Sequence, residues 1–181
     1  MEAIYYSSVS SPIGTIWVAS DRRGVCLLRF GRKEREFLQE IARTGVQSIR
    51  ADHQINRGVS EEITAYFEGT VTRFSSPVHL RGSPFDMKVW EALQRIPLGE
   101  TRSYQDIARQ VGNPKGCRAI GGANRRNPVP LLIPCHRVIN KDGGLGGFSS
   151  GTHIKEWLLR FEQGVIRNHR LVAGETDSRT Q

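Results

Sequence analysis

The chain has 181 residues and a mass of 20.3 kDa, which is room for one domain or two small ones. Hydrophobic residues make up 38% and charged residues 24%, enough apolar mass for a core, so wholesale disorder is excluded. The net charge of +8 is uneven: residues 1–83 hold 11 basic against 9 acidic side chains, whereas 84–170 hold 14 against 7, so the second half is the part that attracts polyanions.

No apolar run approaches the ~18 residues of a membrane span, and MEAIYYSSVSSP lacks the basic-then-apolar layout of a signal peptide. Cys26, Cys117 and Cys135 are odd in number and at unrelated spacings, which fits neither a disulfide framework nor a zinc site. The expectation is a reducing, intracellular protein with free thiols.

In chain order, Ile4–Tyr6, Gly14–Ala19 and Gly24–Phe30 read as β-strands separated by Ser11-Pro12 and Asp21–Gly24, an antiparallel meander. Glu34–Thr44 carries Phe37, Leu38 and Ile41 at helical spacing. Ser60–Gly69 reads as a helix with Ser60 as N-cap and Gly69 past its end. A polar joint at about 72–84 carries the boundary, dividing the chain into a strand-rich domain (1–75), a linker (76–83), a second domain (84–167) and a disordered tail (168–181).

The second domain opens on Ser83-Pro84-Phe85-Asp86, an N-cap, a proline at the first helical position and an acid in the first turn. Phe85, Val89, Leu93 and Ile96 are its apolar stripe. Ser103–Val111 and roughly 115–125 are two further short helices, joined through Gly112-Asn113-Pro114 as in a helix-turn-helix. Residues 102–126 hold six basic side chains (Arg102, Arg109, Lys115, Arg118, Arg125, Arg126) against Asp106 alone. Val129–Ile139 is apolar and β-branched with a Cys-His pair inside it. Thr152–Glu162 closes the chain as an amphipathic helix with Ile154, Trp157, Leu158 and Phe161 on one face.

Cys135 and His136 admit two readings. Buried cysteines mostly pack as small hydrophobes, and mid-strand Cys26 reads as inert core. As a nucleophile, Cys135 needs a base or nearby positive charge to raise its thiolate fraction, and His136 and Arg137 supply both. Adjacent residues on a strand face opposite ways, so direct contact between sulfur and imidazole requires a bend, for which Pro134 stands in place. The histidine also needs an orienting acceptor. Glu162 is a candidate that spacing alone does not select.

Ile133-Pro134-Cys135-His136-Arg137-Val138 resembles the active-site signature of the O6-alkylguanine-DNA alkyltransferases. In the family's order stand also Gly99–Tyr104, Arg118-Ala119-Ile120-Gly121, Asn127-Pro128-Val129-Pro130 and Lys155–Leu159, so the resemblance covers roughly 80–164. It implies an α+β protein: a ribonuclease-H-like N-terminal domain and a helical C-terminal domain with a helix-turn-helix. It implies DNA repair by stoichiometric transfer of an alkyl group from O6-alkylguanine, with O4-alkylthymine as a second candidate, to Cys135, a suicide reaction without cofactor or metal. The partner is double-stranded DNA, entered through the minor groove with the damaged base flipped into a pocket. The protein is expected to be a cytoplasmic monomer, nucleoid-associated in a bacterium, with cooperativity on DNA left open.

Residue by residue, Cys135 matches the alkyl acceptor, and His136 and Glu162 the water-mediated relay that activates it. Tyr104 matches the tyrosine on the flipped base and its 3′ phosphate, Arg118 the arginine that fills the vacated stack, and Asn127 the brace of the active-site turn. Arg125, Arg126 and Lys115 suit phosphate contact. The backbone at Val138, together with Ser149, Phe148 and Pro130, belongs to the base pocket. Phe148 stands where many relatives carry tyrosine, and Arg126 where others carry a small residue. A helix-turn-helix regulator without chemistry, a lesion sensor and a cysteine hydrolase are the competing classes. A sensor of this kind lacks the acceptor cysteine that is present here.

Overall fold

The computed structural model describes residues 3–172. Strands β1 (Ala3–Val9), β2 (Ile16–Asp21) and β3 (Gly24–Phe30) form the antiparallel meander read from the sequence. A fourth strand, β4 (Ser48–Ala51), pairs parallel to β1, giving the order β3-β2-β1-β4. Its sequence gives no strand signal, because Ser48-Ile49-Arg50-Ala51 is short and has neither strand face buried. Helix α1 (Glu34–Ala42) makes the crossover and seats Phe37 and Ile41 on Ile4 and Ala19.

Helix α2 (Arg57–Phe67) begins a turn earlier than expected, so Ser60 lies inside it. Asn56 takes the cap position, but its side chain turns inward and donates to the Tyr5 carbonyl at 3.1 Å. Tertiary bonding thus overrides the local capping signal. The segment read as a linker is pinned to β3: Val25 N–H donates to the Pro77 carbonyl and His79 N–H to the Val25 carbonyl, both at 2.8 Å. Gly24 makes this crossing possible, since its φ is +149° and a Cβ there would stand 2.4 Å from the Pro77 oxygen.

Helix α3 (Pro84–Gln94) starts as expected, with the Ser83 hydroxyl accepting from Asp86 N–H at 3.1 Å. A two-residue strand β5 (Arg102–Ser103) leads into α4 (Tyr104–Gln110), capped by a reciprocal Ser103–Asp106 box. Helix α5 (Cys117–Arg126) follows after residues 111–116. Val89, Trp90 and Leu93 of α3, Ile107 and Ala108 of α4, and Ile120 and Ala123 of α5 share one core. The Trp90 indole N–H donates to the Ala123 carbonyl at 2.9 Å and holds the end of α5.

Residues 129–134 are not the strand that their composition suggests. Pro130 and Pro134 cannot donate to a ladder, and Leu131 adopts a left-handed φ of +83°. The buried turn is satisfied from within: Asn127 Nδ2 donates to the Ile133 carbonyl at 2.8 Å, and its Oδ1 accepts from Val129 N–H at 3.0 Å. From the N-terminal sheet, Leu28 N–H and the Arg29 guanidinium both donate to the Pro128 carbonyl at 2.9 Å. Cys135–Arg137 then form a 3-10 turn, β6 (Val138–Ile139) pairs with β5, and α6 (Thr152–Val172) closes the fold. Helix α6 runs to Val172, into the segment expected to be a tail. The rest of that segment, 173–181, lies outside the described residues.

The sheet, α2, the 129–132 turn and α6 share a second core, in which Val18, Leu28, Tyr66, Leu131 and Leu158 meet. Replacing Asn127 with alanine takes the partner from the buried Val129 N–H and leaves the Ile133 carbonyl with Cys135 N–H alone, at 2.8 Å. Asn127→Ala is expected to cost about 1–3 kcal/mol, read as a shift in the urea midpoint, with loss of Cys135 reactivity at temperatures where the variant remains folded.

Candidate active site

Glu162 on α6 is fully buried, and its carboxylate collects donors from four residues in three stretches of the chain. Oε1 accepts from His136 Nε2 at 2.8 Å, the Tyr66 hydroxyl at 2.7 Å and Arg137 Nη2 at 2.9 Å. Oε2 accepts from Arg137 Nε at 3.0 Å and Gly99 N–H at 3.1 Å. Burial alone would raise the Glu162 pKa, but His136 and Arg137 outweigh it and hold the carboxyl well below the usual range. Arg137 is itself fixed by donating to the Ile96 carbonyl at 2.6 Å.

An ionised carboxylate only accepts, so His136 carries its hydrogen on Nε2. Nδ1, also buried, has no hydrogen-bond partner among the described residues and is left as an acceptor. Burial lowers the His136 pKa and Glu162 opposes it, leaving the ring neutral at pH 7. The 3-10 turn in place of a strand removes the difficulty that adjacent strand residues point apart.

Cys135 is 3% exposed, and burial pushes its thiol up to about 11. The Asn127 side chain and the Lys155 charge pull the other way. Lys155, on α6, is fully buried. Its Nζ donates to the Val138 carbonyl at 2.5 Å and lies 5.9 Å from the centroid of the Tyr104 ring. Burial pushes its pKa down to about 8, with the Cys135 sulfur as the counterweight. The Tyr104 hydroxyl is raised by burial and by Cys135, while the Asn124 carboxamide facing it acts to lower it.

Cys135 lies in the wall of a cavity of about 830 Å³. Of the residues expected at the site, Tyr104, Arg118, Arg125, Arg126, Phe148 and Ser149 line it with Cys135. His136, Glu162 and Asn127 stand behind the wall, and Val138 and Pro130 are buried outside the lining. The Val138 carbonyl, expected to face a base, already accepts from Lys155. Lys115 is exposed and away from the cavity. Arg126 spends its guanidinium on Asp86, with Nη2–Oδ1 at 2.6 Å and Nε–Oδ2 at 3.1 Å. Cys117 is half-buried, and Cys26, expected in the core, is also half-buried, its thiol donating to the Ala19 carbonyl at 3.4 Å.

Two site residues escaped the sequence reading. Lys155 carried a signal: it shares the buried face of α6 with Leu158 and Glu162 at spacings of three and seven, a charge inside an apolar stripe. Tyr66 carried none, because nothing local ties an aromatic residue of α2 to a carboxylate 96 residues away.

Residues 4–80 match the ribonuclease-like domain of 6-O-methylguanine DNA methyltransferase, and residues 84–164 match its DNA-binding domain. A methylated-DNA–protein-cysteine methyltransferase of Methanosarcina acetivorans is 40% identical over 159 residues, 88% of this chain and 98% of that protein. The constitutive methylated-DNA–protein-cysteine methyltransferase of Bacillus subtilis is 38% identical over 163 residues, 88% of this chain and 95% of that protein. The crystal structure of Mycobacterium tuberculosis OGT in complex with DNA superposes with a TM-score of 0.77 at 35% identity, covering 89% of this chain and 94% of that one. Among the described residues no helix is long and apolar enough to cross a membrane.

Tyr66→Phe keeps the ring and removes one donor from the buried carboxylate. It is expected to cost about 1.5–3 kcal/mol in chemical unfolding, the range for a hydrogen bond to a charged group. The buried neutral imidazole also makes stability acid-sensitive. Below about pH 6.5 the unfolded chain binds a proton at His136 that the native one does not, so stability falls as pH falls. The depressed Glu162 pKa adds a further loss below about 4.5. Melting temperature should drop between pH 7 and pH 5, and drop less in His136→Gln.

Proposed function

The chain belongs to the 6-O-methylguanine DNA methyltransferase family, and from that premise we infer that it repairs DNA as a methylated-DNA–protein-cysteine methyltransferase, moving the alkyl group of O6-alkylguanine onto its own Cys135. The observation that carries the assignment is the setting of this one thiol. Of three cysteines, Cys135 alone lines a basic cavity and is followed in the chain by a histidine locked to a buried carboxylate.

Burial pushes the Cys135 thiol up to about 11, so it is protonated at pH 7 and its proton must leave in the reaction itself. The acceptor is neutral His136, whose free Nδ1 receives the proton through a water molecule. Glu162 balances the imidazolium that forms, while Lys155 and Asn127 stabilise charge on the sulfur. The sulfur attacks the alkyl carbon as the carbon–O6 bond breaks. The electron pair of that bond stays on guanine, which takes a proton from the Tyr104 hydroxyl, and solvent reprotonates Tyr104. The product thioether has no leaving path, so each molecule acts once.

The same reading gives the basic face its task. Helices α4 and α5 meet duplex DNA from the minor groove, exposed Arg118 at the cavity mouth fills the place of the flipped base, and Arg125 contacts phosphate. Arg126 contributes by holding α5 to α3 through Asp86. The protein works as a cytoplasmic monomer in this account, and cooperative loading along DNA is a further part of the proposal.

Cys135→Ser should abolish transfer from duplex O6-methylguanine while retaining affinity for the lesion, since a hydroxyl is a far poorer nucleophile in a pocket of nearly the same shape. Cys26→Ser and Cys117→Ser should transfer at the wild-type rate. Single-turnover assays with labelled DNA check all three. Transfer by Cys135→Ser near the wild-type rate would end the assignment.

A further inference from the structure

Asn124 lines the cavity with Cys135 and Tyr104, yet the reaction as described gives it no task. The residue is 9% exposed, and among the described residues only the Tyr104 hydroxyl stands within reach of its carboxamide, with neither Oδ1 nor Nδ2 in a well-formed hydrogen bond. A buried carboxamide with a donor or an acceptor left over is costly unless a ligand completes it. Asn127, three residues further on, shows the contrast, because both of its side-chain atoms are bonded to the turn that it braces. Asn124 holds no part of the fold in this way.

Tyr104 faces Asn124 from α4, its hydroxyl close enough for the carboxamide to act on it. Across the opening, a Cβ on Gly146 would stand 2.9 Å from the Tyr104 hydroxyl, so that ring is hemmed in. Asn124 and Tyr104 therefore present a donor, an acceptor and a hydroxyl together in one wall of the cavity that holds the reactive sulfur.

We propose that Asn124 is a substrate-contacting residue, its carboxamide hydrogen-bonding the polar edge of the alkylated base beside the Tyr104 hydroxyl. This rests on the reading that the damaged base enters the Cys135 cavity. The edge is that of a nucleobase: ring nitrogens accept from Nδ2, or an exocyclic amine donates to Oδ1. The alkyl group offers the amide nothing, so the contact favours the base whatever group it carries.

The test is single-turnover transfer by wild type and Asn124→Leu, an apolar change of similar size. Substrates are duplex DNA with O6-methylguanine, O6-benzylguanine, and O6-methyl analogues lacking one polar group each: the 1-deaza, 3-deaza and 7-deaza bases and the base without its amino group. Asn124→Leu should be about tenfold slower with methyl and benzyl lesions alike and should bind undamaged duplex as wild type does. One analogue should slow wild type about tenfold further but leave Asn124→Leu unchanged, the non-additivity of a direct contact. A wild-type rate for Asn124→Leu overturns the proposal, as does an equal loss across every analogue in both proteins. If Asn124→Leu does not fold, Asn124→Ser is read by the same criteria. Absence of transfer by wild type would instead overturn the function itself.

Discussion

A carboxylate taken wholly out of water dictates how this protein is put together. An unpaired buried anion costs many kcal/mol, so Glu162 is stable only where donors converge on it. They come from α2 through Tyr66, from the turn after α3 through Gly99, and from the 3-10 turn through His136 and Arg137. Each belongs to a different stretch of chain. The carboxylate is satisfied only when α2, α6 and the active-site turn are docked together, and that docking fixes His136 in one tautomer with Nδ1 free. The base proposed for the reaction is thus a product of the same interaction that closes the fold.

The N-terminal half has a part in this beyond packing. Tyr66 reaches the carboxylate from α2, and Arg29 and Leu28 of β3 hold the Pro128 carbonyl at the start of the active-site turn. That turn has little regular structure of its own and includes a leucine with a left-handed backbone. It is kept in place by Asn127 from within and by β3 from outside. The nucleophile therefore sits on a segment whose shape is imposed by its neighbours, which suits a site that must hold a base against one sulfur atom.

The three N-terminal strands, α1, and the starts of α3 and α4 were legible in the sequence because each rests on local chemistry: alternation, apolar spacing, a Ser-Pro cap. The Cys135–His136 pair was legible as a motif, and Glu162 as a candidate acceptor that spacing alone does not select. What stayed hidden depends on distant partners. Asn56 gives up its capping role for the Tyr5 carbonyl. Residues 129–134 look like a strand by composition but are held as a turn by Asn127. Arg126 reads as a phosphate ligand by charge, whereas α3 places Asp86 within its reach. Lys155 was the exception, since a charge within an apolar helical stripe is visible without coordinates.

The central claim is that Cys135 accepts one alkyl group, once. Mixing the protein with excess duplex DNA bearing isotopically labelled O6-methylguanine, followed by intact-mass and peptide mass spectrometry, measures this directly. The account predicts that label uptake stops at one methyl per chain, carried on the peptide that contains Cys135, with unmodified guanine left in the DNA. Label on Cys26 or Cys117, or continued repair beyond one lesion per protein molecule, would contradict it.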